Sequence, residues 1–263
     1  MRKNFQTAYQ YFNYLIHSKH RKGHGIHSPF VFEFVNRVLY DRYIYPGYAE
    51  LRNIRNELVS SQEILSVQET GAGSDYFSGQ NRKISDLVNR SSISSRFGKL
   101  LFRIAAYYKP SAIIELGTSI GMSTLFLAKG APDARVVTIE GDKEVCEFSR
   151  RLFMKLQVNN IQSILGHFDD YLPYLDEKYP GAELVFIDGN HTLEATLRYF
   201  EHFVSRMNEG FIIIDDINWS AGMRQAWETI ISDSRASVTI DLFYMGIIVI
   251  RKSITPGHYK VRF

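Results

Sequence analysis

One cysteine, Cys146, is all the thiol that this sequence carries. No disulfide can form within the chain, and such usage fits a reducing compartment. Long apolar runs are missing too. The longest, around Phe211–Ile214 and Ile247–Ile250, are four or five residues, against the roughly 20 that span a bilayer. The opening stretch MRKNFQTAYQYFNYLIH interrupts its apolar residues with Gln and Asn, so it lacks the apolar centre of a signal peptide. Together these absences give the expectation of a cytoplasmic protein with no membrane partner. Acids are absent from residues 1–27, where Arg2, Lys3, Lys19, Arg21 and Lys22 give a charge of +5. The formal net charge is +3, so the remainder is -2, and a strongly electropositive nucleic-acid-binding body is excluded. Internal repeats and low-complexity tracts are also absent. What is present is a 263-residue chain, 45% hydrophobic and 14% aromatic, with room for one large domain or one domain with a small appendage. That mix excludes a wholly disordered chain and a collagen-like fibre.

From about Ser111 short β-branched runs alternate with amphipathic stretches. The runs are 112–116, 135–140, 161–165, 184–188 and 211–215, with helical periodicity near 121–130, 142–157, 168–178, 191–207 and 219–233. This spacing predicts βαβ units and a parallel sheet covered by helices on both faces. Two later runs, 238–243 and 247–251, are separated only by Tyr244, Met245 and Gly246, too short a link for a crossover, so they are expected to pair antiparallel. The first 110 residues read as helical. Ser28-Pro29 is a cap followed by a first-turn proline, and segments near 48–61 and 95–109 share the periodicity. The glycines and serines of 70–79 mark a flexible loop.

The sharpest chemical signal is Glu115-Leu116-Gly117-Thr118-Ser119-Ile120-Gly121 at the end of the first core run. Gly117 permits a tight turn, Gly121 a close backbone approach, and the helix that follows points free amides into the crevice. A glutamate beside this turn disfavours a pyrophosphate and suits a ligand with cationic groups. The second run ends in Glu140, where a carboxylate can accept both hydroxyls of a ribose; its distance from Gly117 is shared by dinucleotide sites, so it identifies a nucleoside-type ligand and not which one. The third leads to Gly166-His167-Phe168-Asp169-Asp170, an aromatic face and an acid that could hold adenine, or an Asx-type helix start.

In the order and spacing of these motifs, residues 91–251 resemble the class I S-adenosylmethionine-dependent methyltransferases, nearest to the catechol O-methyltransferase-like small-molecule O-methyltransferases. The resemblance implies an α/β, Rossmann-like sheet of seven strands: five parallel, then an antiparallel C-terminal pair. It implies a core over 91–263, with residues 1–90 as a helical N-terminal cap and substrate region. It implies S-adenosylmethionine as cofactor, bound by Ser92, Ile93, Glu115, Gly117, Thr118, Ser119, Gly121, Ser123, Glu140, Gly141, Phe168, Asp169 and Asp188. Gly98 falls 17 residues before Glu115, as the matching glycine of that family does.

The fourth core run delivers Asp188-Gly189-Asn190-His191. The family has Asp-x-x-Lys here, the Asp touching cofactor and Mg²⁺ and the Lys acting as general base. His191 stands in the place of the Lys, and an imidazole, ordinarily with pKa near 6.5, can take a proton from an acidic hydroxyl at neutral pH. The resemblance therefore implies His191 and Asp188 as the catalytic pair. The fifth run ends in Asp215-Asp216, where the family has Asp-Asn. Asp188, Asp215 and Asp216 are accordingly the implied Mg²⁺ ligands, oxygen donors suited to a hard cation. The other reading has one Asp capping the next helix and its neighbour facing substrate without metal. Trp219 and Phe243-Tyr244-Met245 are candidates for the acceptor wall, or for packing.

Four of the eight histidines, His17, His20, His24 and His27, lie within 11 residues. The intervening Lys19, Arg21 and Lys22 oppose a metal cation and favour a solvated basic loop. Phe5, Tyr9, Tyr11, Phe12 and Tyr14 interleave with it, as base stacking would require, and as helix packing would equally require. The expected activity is methyl transfer to a hydroxyl of a small molecule, by a chain that admits a homodimer. The alternatives are RNA or protein methylation through the basic N-terminus, and non-catalytic binding of S-adenosylmethionine.

Overall fold

The computed structural model describes residues 2–18, 25–67 and 80–263, without the side chains of 2–9 and 176. The expected 70–79 loop, with His20 and His24, lies outside the described residues. In chain order come α1 (Arg2–His17), α2 (Pro29–Phe34), which runs into a π-helical turn at Val35–Leu39, α3 (Gly47–Val59), β1 (Ile64–Ser66), β2 (Asn81–Lys83), α4 (Ile84–Arg90) and α5 (Ser95–Tyr108). Strict alternation follows: β3 (Ala112–Leu116), α6 (Met122–Gly130), β4 (Arg135–Glu140), α7 (Lys143–Lys155), β5 (Ile161–Leu165), α8 (Phe168–Lys178), β6 (Leu184–Ile187), α9 (Leu193–Val204), β7 (Gly210–Asp215), α10 (Ala221–Ile231). The strands β8 (Val238–Asp241), β9 (Met245–Ile250) and β10 (Gly257–Lys260) close the order.

The main sheet is mostly parallel and has eight strands where seven were expected. The additional one, β10, pairs parallel with β8, Gly257 opposite Val238 and Lys260 opposite Asp241. Its residues, Gly-His-Tyr-Lys, alternate between half-buried and exposed, so no apolar run announces it. The short antiparallel pair β1–β2 interrupts the helical N-terminal region for the same reason.

Two compact units divide the chain: Arg42–Ala182, and Met1–Asp41 with Glu183–Phe263. Within the first 90 residues the boundary between these units falls after Asp41. In the 42–182 unit, β4 runs parallel to both β3 and β5. Residues 113–116 of β3 are all buried, as a strand covered on both faces requires. Side chains set the helix starts: Ser94 accepts the Phe97 amide for α5, and Asp142 accepts the Val145 amide for α7. Gly98 is a packing glycine, since a Cβ there would lie 2.3 Å from the Phe126 ring of α6.

In the other unit β6 and β7 are parallel, and β9 is antiparallel to both β7 and β8, the expected C-terminal pair. The link between β8 and β9 is Leu242–Tyr244, closed by the Leu242 amide on the Met245 carbonyl at 3.0 Å, with Phe243 left-handed at φ 71°. Thr192 and Ser220 cap α9 and α10. Among the described residues no helix is long and apolar enough to cross a membrane.

Candidate active site

In the 42–182 unit the loop after β3 and the ends of β4 and β5 are stitched together through backbone. The Gly117 amide donates to the Ile139 carbonyl at 3.0 Å, and the Gly166 amide to the Glu140 carbonyl at 2.9 Å. Gly117 and Gly121 take φ of 107° and 87°, the left-handed region that glycine reaches without a steric cost. Ser119 joins them at φ 47°, and its amide donates to Glu140 Oε2 at 2.8 Å while the Asp142 amide donates to Oε1 at 3.0 Å. Burial pushes the Glu140 carboxyl up, and the amides of Asp142, Ser119 and Gly141 oppose that. A carboxylate offers about four lone-pair positions, so Glu140 retains capacity for further hydroxyl donors.

Glu115 behaves differently. It has no exposed surface, and its Oε2 accepts the hydroxyls of Thr124 at 2.5 Å and Thr138 at 2.6 Å. Thr118 extends this network, its hydroxyl 2.6 Å from that of Thr138. A ligand has no access to Glu115 here, and the glutamate acts as an internal tie between β3, β4 and α6. Thr118, Gly121, Ser123 and Ile93 are likewise buried, whereas Ser92, Gly117, Ser119, Glu140, Gly141 and Phe168 are half-buried and Asp169 is exposed. The accessible set is therefore narrower than the motif. It still offers accept-only carboxylates and an aromatic ring at the start of α8, a set of groups that fits a nucleoside ligand.

The second unit carries the acids. Strand β6 ends at Ile187, and Asp188 and His191 follow with His191 Nε2 3.6 Å from Asp188 Oδ1. Between them Asn190 is left-handed at φ 52°, which folds the loop back so that the pair can meet. Burial alone would push the His191 imidazole down, but the bond to Asp188 and the charges of Asp188 and Asp216 outweigh it, and the net shift is upward. Asp215, the last residue of β7, is driven well above the usual carboxylate range by burial, then by Asp188 and Asp216. Burial also raises Asp216, with Asp188 adding to it and His191 working against it. Three acids and one imidazole therefore share a small, half-buried region in which burial, Asp188 and Asp216 raise Asp215, and His191 opposes the rise of Asp216.

The expected Mg²⁺ trio is a different matter. Among the described residues no three His, Cys, Asp or Glu side chains are arranged to hold a metal ion. Asp215 ends a strand and Asp216 takes a left-handed turn at φ 54°, so the two neighbours leave the backbone in different directions. Crowding of carboxylates is present; a converging ligand set is not.

The aromatic candidates separate by burial. Phe243 and Met245 are 2% and 0% exposed, which makes them core and removes them from the acceptor wall. Tyr244 is 46% exposed, and burial, Tyr11 and the charge of Asp216 hold its phenol up. Trp219 is half-buried, its amide donating to the Asp216 carbonyl at 2.9 Å. Tyr11 and Tyr14 of α1 pack around Phe243, with centroids 5.0 and 5.4 Å away; Tyr14 is buried and Tyr11 half-buried. Tyr11, Thr124 and Thr138 were not singled out for the site from sequence. Threonine in a strand is too ordinary to signal a carboxylate partner, and Tyr11 lies more than 230 positions from the ring it meets.

Known proteins bear on this arrangement. Residues 114–217 match the family described as "Methyltransferase domain". A catechol O-methyltransferase of Mycobacterium tuberculosis is 31% identical over 131 residues, 48% of this chain and 57% of that protein. One from Niastella koreensis is 29% identical over 128 residues, with the same coverage of 48% and 57%. The chain thus spans little more than half the length of these curated relatives. The crystal structure of an O-methyltransferase from Bacillus cereus with S-adenosylhomocysteine superposes with a TM-score of 0.56 at 22% identity, covering 84% of this chain and 96% of that one, a likeness of fold. Residues 114–217 thus match a methyltransferase domain, in a chain whose sheet has the fold of the Bacillus cereus O-methyltransferase.

Proposed function

We propose that this protein transfers a methyl group from S-adenosylmethionine to a hydroxyl of a small molecule, with His191 as the general base. The observation that carries the reading is the Asp188–His191 pair at the end of β6, at 3.6 Å, beside two further acids. An imidazole in that setting accepts a proton readily, and the resulting imidazolium lies against Asp188 and Asp216. Asp188 orients the ring. Because Nε2 is the ring nitrogen that faces Asp188 at 3.6 Å, the removed proton goes to the other one, His191 Nδ1.

When bound, S-adenosylmethionine supplies an electrophilic methyl on a sulfonium that an oxygen nucleophile displaces. Glu140 is suited to its ribose hydroxyls, Phe168 and Asp169 to its adenine, and the turn through Gly117 and Ser119 to close approach of the rest. Ser92, Gly141 and Asp188 stand as further candidates, while Glu115, Thr118, Ser123, Gly121 and Ile93 support the loop from beneath. Catechol O-methyltransferase is the printed name of the curated relatives, which favours a phenolic acceptor. Among the described residues the acids do not form a metal cage.

Calorimetry with S-adenosylhomocysteine, followed by mass spectrometry of phenols and aliphatic alcohols incubated with S-adenosylmethionine, tests this. Binding with methyl on oxygen is the expected result, unchanged by EDTA. Absence of both binding and transfer refutes the reading. Loss of transfer on chelation, with recovery on adding Mg²⁺, would restore the metal role of Asp188, Asp215 and Asp216.

A further inference from the structure

We propose that Tyr11, on helix α1, is a specificity-determining residue for the acceptor, and that the chain from β10 through Arg262 is the brace that fixes it in place. The inference rests on the reading of the acid region as the place where an acceptor hydroxyl loses its proton. It names the residue that chooses among such acceptors.

The Ile217 amide donates to the Tyr244 carbonyl at 3.2 Å, and Asn218 Nδ2 donates to the Phe243 carbonyl at 2.7 Å. The β8–β9 link is thereby bonded to the acid loop, and Tyr244 is fixed beside it. Tyr11 lies against this link, edge-on to Phe243 at 5.0 Å and tilted by 36° to Tyr244 at 6.2 Å. Tyr244 keeps 46% of its surface and Tyr11 is half-buried, whereas Phe243, between them, is core. The result is a pair of partly open phenol rings on a rigid floor, next to a cluster of carboxylates. Ring faces of this kind take a flat aromatic guest by offset or edge-to-face stacking.

Anchoring α1 does not require Tyr11. One turn further on, Tyr14 is 5% exposed, and its hydroxyl donates to the Val261 carbonyl. Gln10 Oε1 accepts from Arg224 at 3.4 Å, a second tie. The residual exposure of Tyr11 beside that of Tyr244 is therefore available for a ligand. The far side of the tether is itself held: β10 pairs with β8, the Val261 amide donates to the Asp241 carbonyl at 3.0 Å, and Tyr40 donates its hydroxyl to the Arg262 carbonyl. Residues 257–262 thus join β8 on one side to α1 and the π-helical turn on the other.

The test compares KM and kcat for one-ring phenols, two-ring phenols and aliphatic alcohols in wild type, Tyr11→Ala, Tyr11→Phe and Phe12→Ala. Phe12 is 60% exposed on the same helix and serves as the control. Tyr11→Ala is expected to raise KM for aromatic acceptors roughly three- to tenfold, with kcat, the KM of aliphatic alcohols and S-adenosylhomocysteine affinity close to wild type. Tyr11→Phe restores most of the loss. An unchanged preference for aromatic over aliphatic acceptors in Tyr11→Ala overturns the proposal, as does an equal shift in Phe12→Ala. Should Tyr11→Ala unfold by circular dichroism, Tyr244→Ala is measured instead, and an unchanged preference there overturns it. A wild type that binds cofactor product yet methylates no hydroxyl overturns the functional reading and this inference together; normal wild-type transfer with unaltered selectivity in the variants overturns this inference alone.

Discussion

Glu140 and Asp215 each end a core strand and each is taken up by burial, yet the two carboxylates live in opposite circumstances. Glu140, in the 42–182 unit, receives backbone amides on both oxygens. Asp215, in the other unit, faces Asp188 and Asp216, whose charges add to burial in raising it. Donors aimed at a carboxylate stabilise its ionised form and fix its direction. Like charges aimed at it make ionisation costly and favour the protonated form. On the proposed function, one unit holds the ligand still and the other exchanges a proton, a division that strand order alone does not reveal.

The widest gap between the two units should open on His191→Ala. Turnover is expected to fall by about 10² to 10⁴, while calorimetric affinity for S-adenosylhomocysteine stays within about twofold. Equal turnover in the variant removes His191 as base and with it the contrast. Glu115→Ala probes the opposite side. It leaves the Thr124 and Thr138 hydroxyls without their acceptor inside the core, at about 1–3 kcal/mol, in addition to the cavity. Denaturant unfolding reads this as a lower midpoint. A stability equal to wild type, with cofactor affinity lost, would return Glu115 to the ligand.

The smallest effect is expected at the surface of the proton-exchanging unit. Arg235 and Ser205 hold the fully exposed Glu201 down at about 2, and Arg235 also bridges Asp233. Because the folded carboxyl lies below its ordinary value, its contribution is present above the normal carboxylate range and is lost as pH falls toward 2. Glu201→Gln should lower the melting temperature slightly at pH 7, and the difference should vanish in acid. A difference that persists at pH 2 would assign the effect to packing, since exposed pairs contribute little.

Much of this arrangement is legible in the residues. β3, β4 and β5 fall at 112–116, 135–140 and 161–165 as expected, because each is a short run rich in Ile or Val that turn residues bound. The Ser28-Pro29 cap and the Asp188–His191 pairing follow from chemistry confined to a few neighbours. What escapes is whatever depends on distant partners. The bond between Tyr14 and Val261 joins residues 247 apart, so nothing near either one shows that α1 belongs with the C-terminal strands. β10 is polar and takes its shape from the edge of β8. The orientation of Glu115 is hidden for a further reason: in a strand buried on both faces, alternation no longer tells a ligand-facing side from an internal one.

Ser119, Asn190, Asp216 and Phe243 all hold φ between 47° and 71°, a region where a side chain costs roughly 1–2 kcal/mol and glycine almost nothing. Each stands in a loop that follows a strand, and the first three belong to the candidate site. Replacing them with glycine would relieve that cost but return backbone freedom to the unfolded chain and slacken the very turns that aim the carboxylates and the imidazole. Resistance to heat and readiness for chemistry are thus set against each other at the same few torsion angles. Selection for thermal endurance alone would wear the site away before it disturbed the sheet.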